Sequence, residues 1–335
     1  MLRFGEGELG LADITKSINQ FITDEIKLFQ KDITSAVKSR EWFLSRIESA
    51  VQKRTNELTL YKTPFVYFGS YFKKTKVTNV DEFDVLVVID SNDGQFSQGG
   101  EVIGKGLGSA SPNHKYDKKY KKSDDSGVSP SKLLNWLKGI AEEVVEGFHG
   151  QAPERDGQAI TATIKSKDLK IDLVPAGIFE EDDGTVFYII PKGDKENGWI
   201  RTQPKDDMKE LEDAANEKTQ FRNIIRLVKF IRGKYKFKVS SFAIESAVVN
   251  YSKTTTWRND LYTDLKGFLS YLAQNFRTGE IKSTIDENAN LISEVESLVY
   301  YASRIDKIIT TLGDLEGELD QKVVNEAVSK LFKNE

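Results

Sequence analysis

The chain has 335 residues, 39% of them apolar and 30% charged, enough for about two soluble globular domains. A formal net charge of −4 gives no overall basic footprint for nucleic acid. With no cysteine and only two histidines, His114 and His149, the composition excludes disulfides, thiolate chemistry and cysteine zinc sites, and leaves acid–base work to carboxylates.

The chain opens with MLRFGEGELG, which lacks a signal-peptide pattern, and no apolar run reaches the length of a membrane span. The expectation is a cytoplasmic protein without a membrane partner. Apolar residues recur at three- and four-residue steps from Ile14 through Ile33 and on to Val51, predicting one long or two consecutive amphipathic helices over 11–58. Short strands are expected at 65–68 and 85–89, the second apolar and β-branched and therefore central. Residues 91–130 are rich in Gly, Ser, Lys and Asp and read as a long loop or a partly disordered insertion. Ser129-Pro130 starts a helix. Strands follow at 160–164, at 169–174 ending before Pro175, and at 187–190. Helical spacing then recurs near 206–216, 219–234, 240–251, 259–275, 287–311 and 320–332. The plan is a spine-helix region (1–60), a mixed-sheet core (61–200) and a helical domain (201–335).

The chemistry-bearing stretch is FGSYFKKTKVTNVDEFDVLVVID at 68–90. Glu82 and Asp84 lie two apart, so in a strand they share a face, and two like charges side by side call for a cation. A third carboxylate, Asp172 in LKIDLVPAG, interrupts an apolar strand and is costly to bury without a partner. If the two strands pair, three hard oxygen donors converge on a site suited to Mg²⁺ or Mn²⁺. Two such ions, roughly 3.5–4 Å apart, suit phosphoryl or nucleotidyl transfer. Gly69 lets backbone N–H groups approach a polyphosphate, Ser70 adds a hydroxyl, and Lys73 and Lys74 are expected in a short helix just beyond. A Gly-Ser pair alone is an ordinary turn, and an acidic pair alone an ordinary solvated strand end. The ordered set of strand, Gly-Ser, Glu-x-Asp and a later buried Asp is far more specific.

GSYF…VDEFDVLVVID, with Asp172 further on, resembles the active-site signature of the cyclic GMP-AMP synthase/oligoadenylate synthase-like nucleotidyltransferases, whose bacterial branch is called the CD-NTases. LVPAG…YIIPKGDKENGWIRTQP and FRNIIRLVKFIRGKYKFKVSSFAIESAVVNY extend the likeness over roughly residues 60–260. It implies an α+β fold: a polymerase-β-like core with a mixed sheet, a long N-terminal helix and a C-terminal helical domain. It implies that Glu82, Asp84 and Asp172 bind two Mg²⁺ ions, with Mn²⁺ as the alternative, and that Gly69 and Ser70 hold the donor nucleoside triphosphate. Lys229 and Ser241 would contact phosphate, Phe242 would stack on a base, and Arg201 would reach the acceptor nucleotide. Phe242 stands where the animal enzyme has a tyrosine, and zero cysteines leave no room for that enzyme's DNA-binding zinc module. The implied activity is synthesis of a cyclic oligonucleotide messenger in bacterial antiphage signalling, read by a product-sensing effector protein. A linear oligoadenylate maker, a tRNA-tailing enzyme, an antibiotic-modifying enzyme and a catalytically silent scaffold are the rivals. The run HKYDKKYKKSDD at 114–125 could touch nucleic acid, but its Gly- and Asp/Ser-rich flanks favour a solvated loop, and no nucleic acid is expected to be required.

Overall fold

A computed structural model describes residues 11–333 except 29, 56, 78–79, 93, 99, 109–118, 125, 149, 194–197 and 287. The chain forms two compact units, one of Phe29–Lys73 and Asn79–Met208, the other of Met1–Leu28, Lys74–Thr78 and Lys209–Glu335.

The N-terminal periodicity resolves into two helices rather than one. Helix α1 (Ile14–Phe21), capped by the Asp13 carboxylate on the Lys16 N–H, runs into a π-helical turn at Ile22–Ile26. Helix α2 (Gln30–Gln52) follows and belongs to the first unit. There it is joined by β1 (Leu60–Phe68), the single turn α3 (Gly69–Phe72), β2 (Glu82–Ile89), β3 (Gln95–Gln98) and β4 (Glu101–Gly106). Helix α4 (Pro130–Glu146) comes next, its first turn held by the Ser129 hydroxyl and the proline at its start, as the sequence indicates. Strands β5 (Glu154–Asp156), β6 (Ala159–Ile164), β7 (Leu169–Glu180), β8 (Val186–Pro191) and β9 (Trp199–Thr202) complete one mixed sheet.

Strand β7 is its axis. It pairs in parallel with β2, and antiparallel with β6 along its first half and with β8 and β4 along its second. The expected stop at Pro175 does not occur. No antiparallel partner is registered between Leu173 and Gly177, so the missing proline N–H falls in the gap between β6 and β8. The expected loop at 91–130 also contains structure, the β3–β4 hairpin joined to β7 through Lys105↔Glu180 and Gly106↔Phe179. Its glycines made it read as a loop. They serve close approach instead, since a Cβ on Gly106 would lie 1.7 Å from the Ser91 carbonyl oxygen. Residues 109–118 of that segment, His114 among them, lie outside the described residues, as does His149.

Side chains alternate along β2. Leu86 and Val88 pack with Val174, Ala176 and Ile178 of β7 on one face, the face shared by Glu82, Asp84 and Asp172. Phe83, between the two carboxylates, turns to the opposite face and is fully buried.

The chain passes into the second unit within α5 (Pro204–Ala215). That unit gathers α1 and the π turn with α6 (Phe221–Lys234), α7 (Ser241–Thr254), α8 (Leu261–Thr278), α9 (Leu298–Gly313) and α10 (Gln321–Phe332). Ile18, Ile22 and Ile26 are fully buried in its core, beside Phe221, Phe268 and Phe332. Side-chain caps from Ser240, Asp260 and Asp320 start α7, α8 and α10. The helical spacing at 287–297 misled. Asn290 accepts the Ile281 and Ile292 N–H groups on its side-chain oxygen and donates to the Gly279 carbonyl, competing with a helix. Helix α9 begins only after Ser297, whose φ of 65° is left-handed.

Candidate active site

The parallel β2–β7 pairing places Asp84 directly beside Asp172. One ligand oxygen from each of Glu82, Asp84 and Asp172 lies within 4.8 Å of the others, and all three residues are half-buried. The Asp172 carboxylate oxygen Oδ1 accepts a 2.7 Å hydrogen bond from the Thr161 hydroxyl on β6, the residue registered opposite it. Burial is the main cause that raises the Asp172 pKa, to about 6. The Thr161 hydrogen bond pulls it down, while the neighbouring Glu82 and Asp156 push it up. Sequence spacing does not reveal Thr161 as part of the cluster. Its place opposite Asp172 follows only from the β6–β7 register.

Strand β1 runs antiparallel to β2 and delivers Phe68 opposite Asp84, so the chain turns at Gly69 immediately beside that carboxylate. Gly69 has a φ of +78°, and a Cβ on it would stand 1.8 Å from the Asp84 Oδ2. Glycine is therefore required twice, by backbone conformation and by space. Gly69 opens the single turn α3 and Ser70 is its second residue. The expected short helix ends earlier than Lys73 and Lys74. Lys73 is its C-terminal cap, buried and ion-paired with Asp207, and Lys74 adopts a left-handed φ of 59°.

Of the other residues singled out in the sequence, Arg201 belongs to the same unit. It lies on β9, ion-paired with Glu181 and 4.3 Å above the Phe187 ring. Lys229, Ser241 and Phe242 belong to the helical unit. Lys229 on α6 is buried and paired with Glu245 of α7, and it donates a 3.0 Å hydrogen bond to the Thr75 hydroxyl. The Thr75 hydroxyl in turn donates to Glu245 at 2.7 Å. Glu245 and Thr75 escaped sequence reasoning, because a lone Glu in FAIES reads as an ordinary helix surface. Ser241 accepts a 3.3 Å hydrogen bond from Arg232, and Phe242, one residue on, is half-buried.

A mixed sheet carrying a Gly-Ser turn against three carboxylates is the arrangement of a polymerase-β-like nucleotidyltransferase core, the fold that the resemblance implied. Residues 71–181, which include all three carboxylates, match the Mab-21 protein nucleotidyltransferase domain. A probable cyclic nucleotide synthase of Bacillus cereus is 25% identical over 260 residues, 76% of each chain. Among solved structures, a deletion mutant of the Vibrio cholerae di-nucleotide cyclase DncV superposes with a TM-score of 0.71 at 12% identity, covering 97% of both chains. Escherichia coli CdnC, solved in complex with HORMA, superposes at 0.66 and 16% identity, covering 95% of this chain and 96% of that one. These matches bear out the resemblance to the CD-NTases drawn from the sequence and the α+β fold with its helical C-terminal region. Among the described residues no helix is long and apolar enough to cross a membrane.

Proposed function

We propose that this chain is a nucleotidyltransferase that joins nucleoside triphosphates into a cyclic di- or trinucleotide. The observation that carries the reading is the convergence of Glu82, Asp84 and Asp172 within 4.8 Å of one another beside the Gly69 turn. The domain match over 71–181 and the likeness to a cyclic nucleotide synthase support it.

The donor set fits Mg²⁺ or Mn²⁺. All three groups are hard carboxylate oxygens within 4.8 Å of one another; burial chiefly raises the Asp172 pKa and the neighbouring Glu82 adds to it, and a bound cation would relieve both. Two such ions, when bound, lower the pKa of an acceptor hydroxyl and neutralise charge on the departing pyrophosphate. Glu82 and Asp84 are the ligands fixed on β2, with Asp172 facing them from β7. Asp172, as the resemblance implies, helps take the proton of the acceptor ribose hydroxyl as that oxygen attacks the donor α-phosphate and pyrophosphate leaves. A second attack, by the terminal ribose hydroxyl of the linear product on the α-phosphate of its own 5′-triphosphate, releases a second pyrophosphate and closes the ring.

Gly69 and Ser70 cradle the donor triphosphate. Ser241 adds its hydroxyl, and Lys229 contributes by exchanging Glu245 for a phosphate oxygen. Phe242 stacks on a base, which any nucleobase accepts. Arg201 serves the acceptor nucleotide by leaving Glu181. The product is a messenger read by an effector protein in antiphage signalling, and no nucleic acid is needed for its synthesis.

The test is incubation of the protein with labelled ATP, GTP, CTP and UTP and Mg²⁺ or Mn²⁺, with products identified by mass before and after phosphatase. A phosphatase-resistant product is expected from the wild type and none from a Glu82→Ala/Asp84→Ala variant of unchanged circular dichroism. Phosphatase-sensitive products alone would replace this reading with a linear tailing enzyme. Retained incorporation in the double variant would overturn the site.

A further inference from the structure

Arg40, midway along α2, is an arginine in an unusual place. Its side chain is only 7% exposed. Its guanidinium carbon lies 4.6 Å from the centre of the Tyr67 ring, 4.8 Å from Phe83 and 5.2 Å from Phe72. Among the described residues, its buried Nε and Nη1 have no hydrogen-bond partner. Among the described residues its one ion pair, from Nη2 to Glu41 at 3.5 Å, goes to a carboxylate that is 60% exposed. A desolvated cation with so little compensation is expensive, and an apolar side chain of similar volume would fill the space at less cost. What Arg40 does have is three aromatic faces, which attract a desolvated cation strongly.

Those rings sit on the three pieces of the carboxylate and phosphate machinery. Tyr67 is two residues before Gly69, on the strand that delivers the turn. Phe72 closes α3, two residues after Ser70. Phe83 stands between Glu82 and Asp84 and points to the opposite face of β2. The rings also hold one another. Tyr67 stacks on Phe72 at 4.8 Å, and Phe72 and Phe83 are 6.2 Å apart. Helix α2 thus grips, through one flat cation, the backs of the incoming strand, the turn and the carboxylate strand.

We propose that Arg40 is a positioning residue for nucleotidyl transfer: its guanidinium, clamped by Tyr67, Phe72 and Phe83, fixes the Gly69-Ser70 turn in register with the Glu82/Asp84 strand. The inference rests on the nucleotidyltransferase reading above. Arg40 acts through the rings, and its effect falls on the geometry of reaction, where a displacement of about 1 Å costs on the order of 10²-fold in rate.

The experiment compares the wild type with Arg40→Met and Arg40→Lys. Circular dichroism and thermal denaturation report the fold, pyrophosphate release reports kcat and KM, and Mn²⁺ binding is followed by electron paramagnetic resonance. Methionine fills the volume without charge, and lysine keeps the cation without the plane. The expected result is that Arg40→Met keeps the wild-type circular dichroism and a Tm at or above wild type. Its kcat should fall at least tenfold with KM within about threefold, and its Mn²⁺ affinity should weaken. Arg40→Lys should recover part of the kcat. A purely structural arginine would lower Tm and leave the kcat of the folded fraction alone. Wild-type kcat in Arg40→Met, or Arg40→Lys no better than Arg40→Met, would overturn the proposal while the wild type still turned over. A wild type that released no pyrophosphate from any of the four triphosphates, and whose Mn²⁺ binding was untouched by Asp84→Asn, would instead overturn the nucleotidyltransferase reading and this inference with it.

Discussion

A Cβ added to Gly69 would stand 1.8 Å from the Asp84 Oδ2, so the turn and the carboxylate occupy adjoining space with no room for a methyl group between them. The Gly-Ser step and the Glu-x-Asp step are separated by eleven residues of sequence, but the antiparallel pairing of Phe68 with Asp84 makes them one object. Gly69→Ala must therefore move Asp84 or the turn, and it also strains a backbone φ of +78°. The expected outcome is a loss of turnover of about a hundredfold or more, with Tm lowered by only a few degrees. Steady-state pyrophosphate release and a melting curve check it. An alanine variant of near wild-type kcat would mean that the turn does not act with Asp84.

The pH dependence of the metal-free protein follows from Asp172. Burial, with Glu82 nearby, raises its folded pKa from 3.8 to about 6, so the folded state holds this proton more tightly than the unfolded chain. The sign is that of a raised group. Its contribution to stability is full below the unfolded pKa and disappears as pH climbs through about 6. In EDTA, the Tm of the wild type should fall relative to Asp172→Asn between about pH 4 and pH 6.5. Added Mg²⁺ should restore the wild type at the upper end and do little for the variant, because the ion binds the ionised cluster. Parallel wild-type and variant curves across that range would refute the account.

Much of this site is legible in sequence because its chemistry is carried by residue types at fixed periods. The two-residue step of Glu82 and Asp84 fixes their shared face, and a lone Asp172 in an apolar strand asks for partners. What escapes is whatever depends on register or on tertiary packing. Thr161 reaches Asp172 only through the β6–β7 pairing, and Arg40 looks like any helix-surface arginine until the rings around it are in place. The β3–β4 hairpin was hidden by glycines that pack rather than loosen the chain. Strand β7 runs through Pro175 because the missing donor happens to face a gap, which no local signal announces.

Lys229 was singled out as a phosphate contact, and it also belongs to a buried network with Glu245 and Thr75. Thr75, Lys229 and Glu245 all belong to the helical unit. Removing one partner of a buried ion pair leaves an uncompensated charge at a cost of about 3–5 kcal/mol. Lys229→Met should therefore lower stability by that order, and the pair Lys229→Met/Glu245→Leu should recover most of it. Urea titrations measure both. If nucleotide affinity, measured by isothermal titration calorimetry, stayed low in the stable double variant, the phosphate role of Lys229 would be upheld beyond its structural one. Recovery of affinity along with stability would make Lys229 structural alone.

The lysine-rich run 114–122 poses the choice between a nucleic-acid sensor and a solvated rim. Lys115 and Lys118 lie outside the described residues, but the neighbouring lysine is accounted for within the protein. Lys119 makes a 2.8 Å ion pair with Glu57, which also accepts a hydrogen bond from the Trp136 indole N–H. Tyr120 is 3% exposed, so it offers no ring for a base to stack on. The chain as a whole carries a formal charge of −4, which opposes polyanion binding beyond a local patch. Changing Lys115, Lys118, Lys119, Lys121 and Lys122 together to Ser should leave basal turnover within roughly tenfold, a barrier change of about 1.4 kcal/mol. Nuclease-treated wild type should turn over without added DNA or RNA. The check is turnover of both proteins with and without duplex nucleic acid, over a range of salt. Strong stimulation of the wild type that vanishes in the serine variant, and that weakens steeply with salt, would make the run a sensor instead.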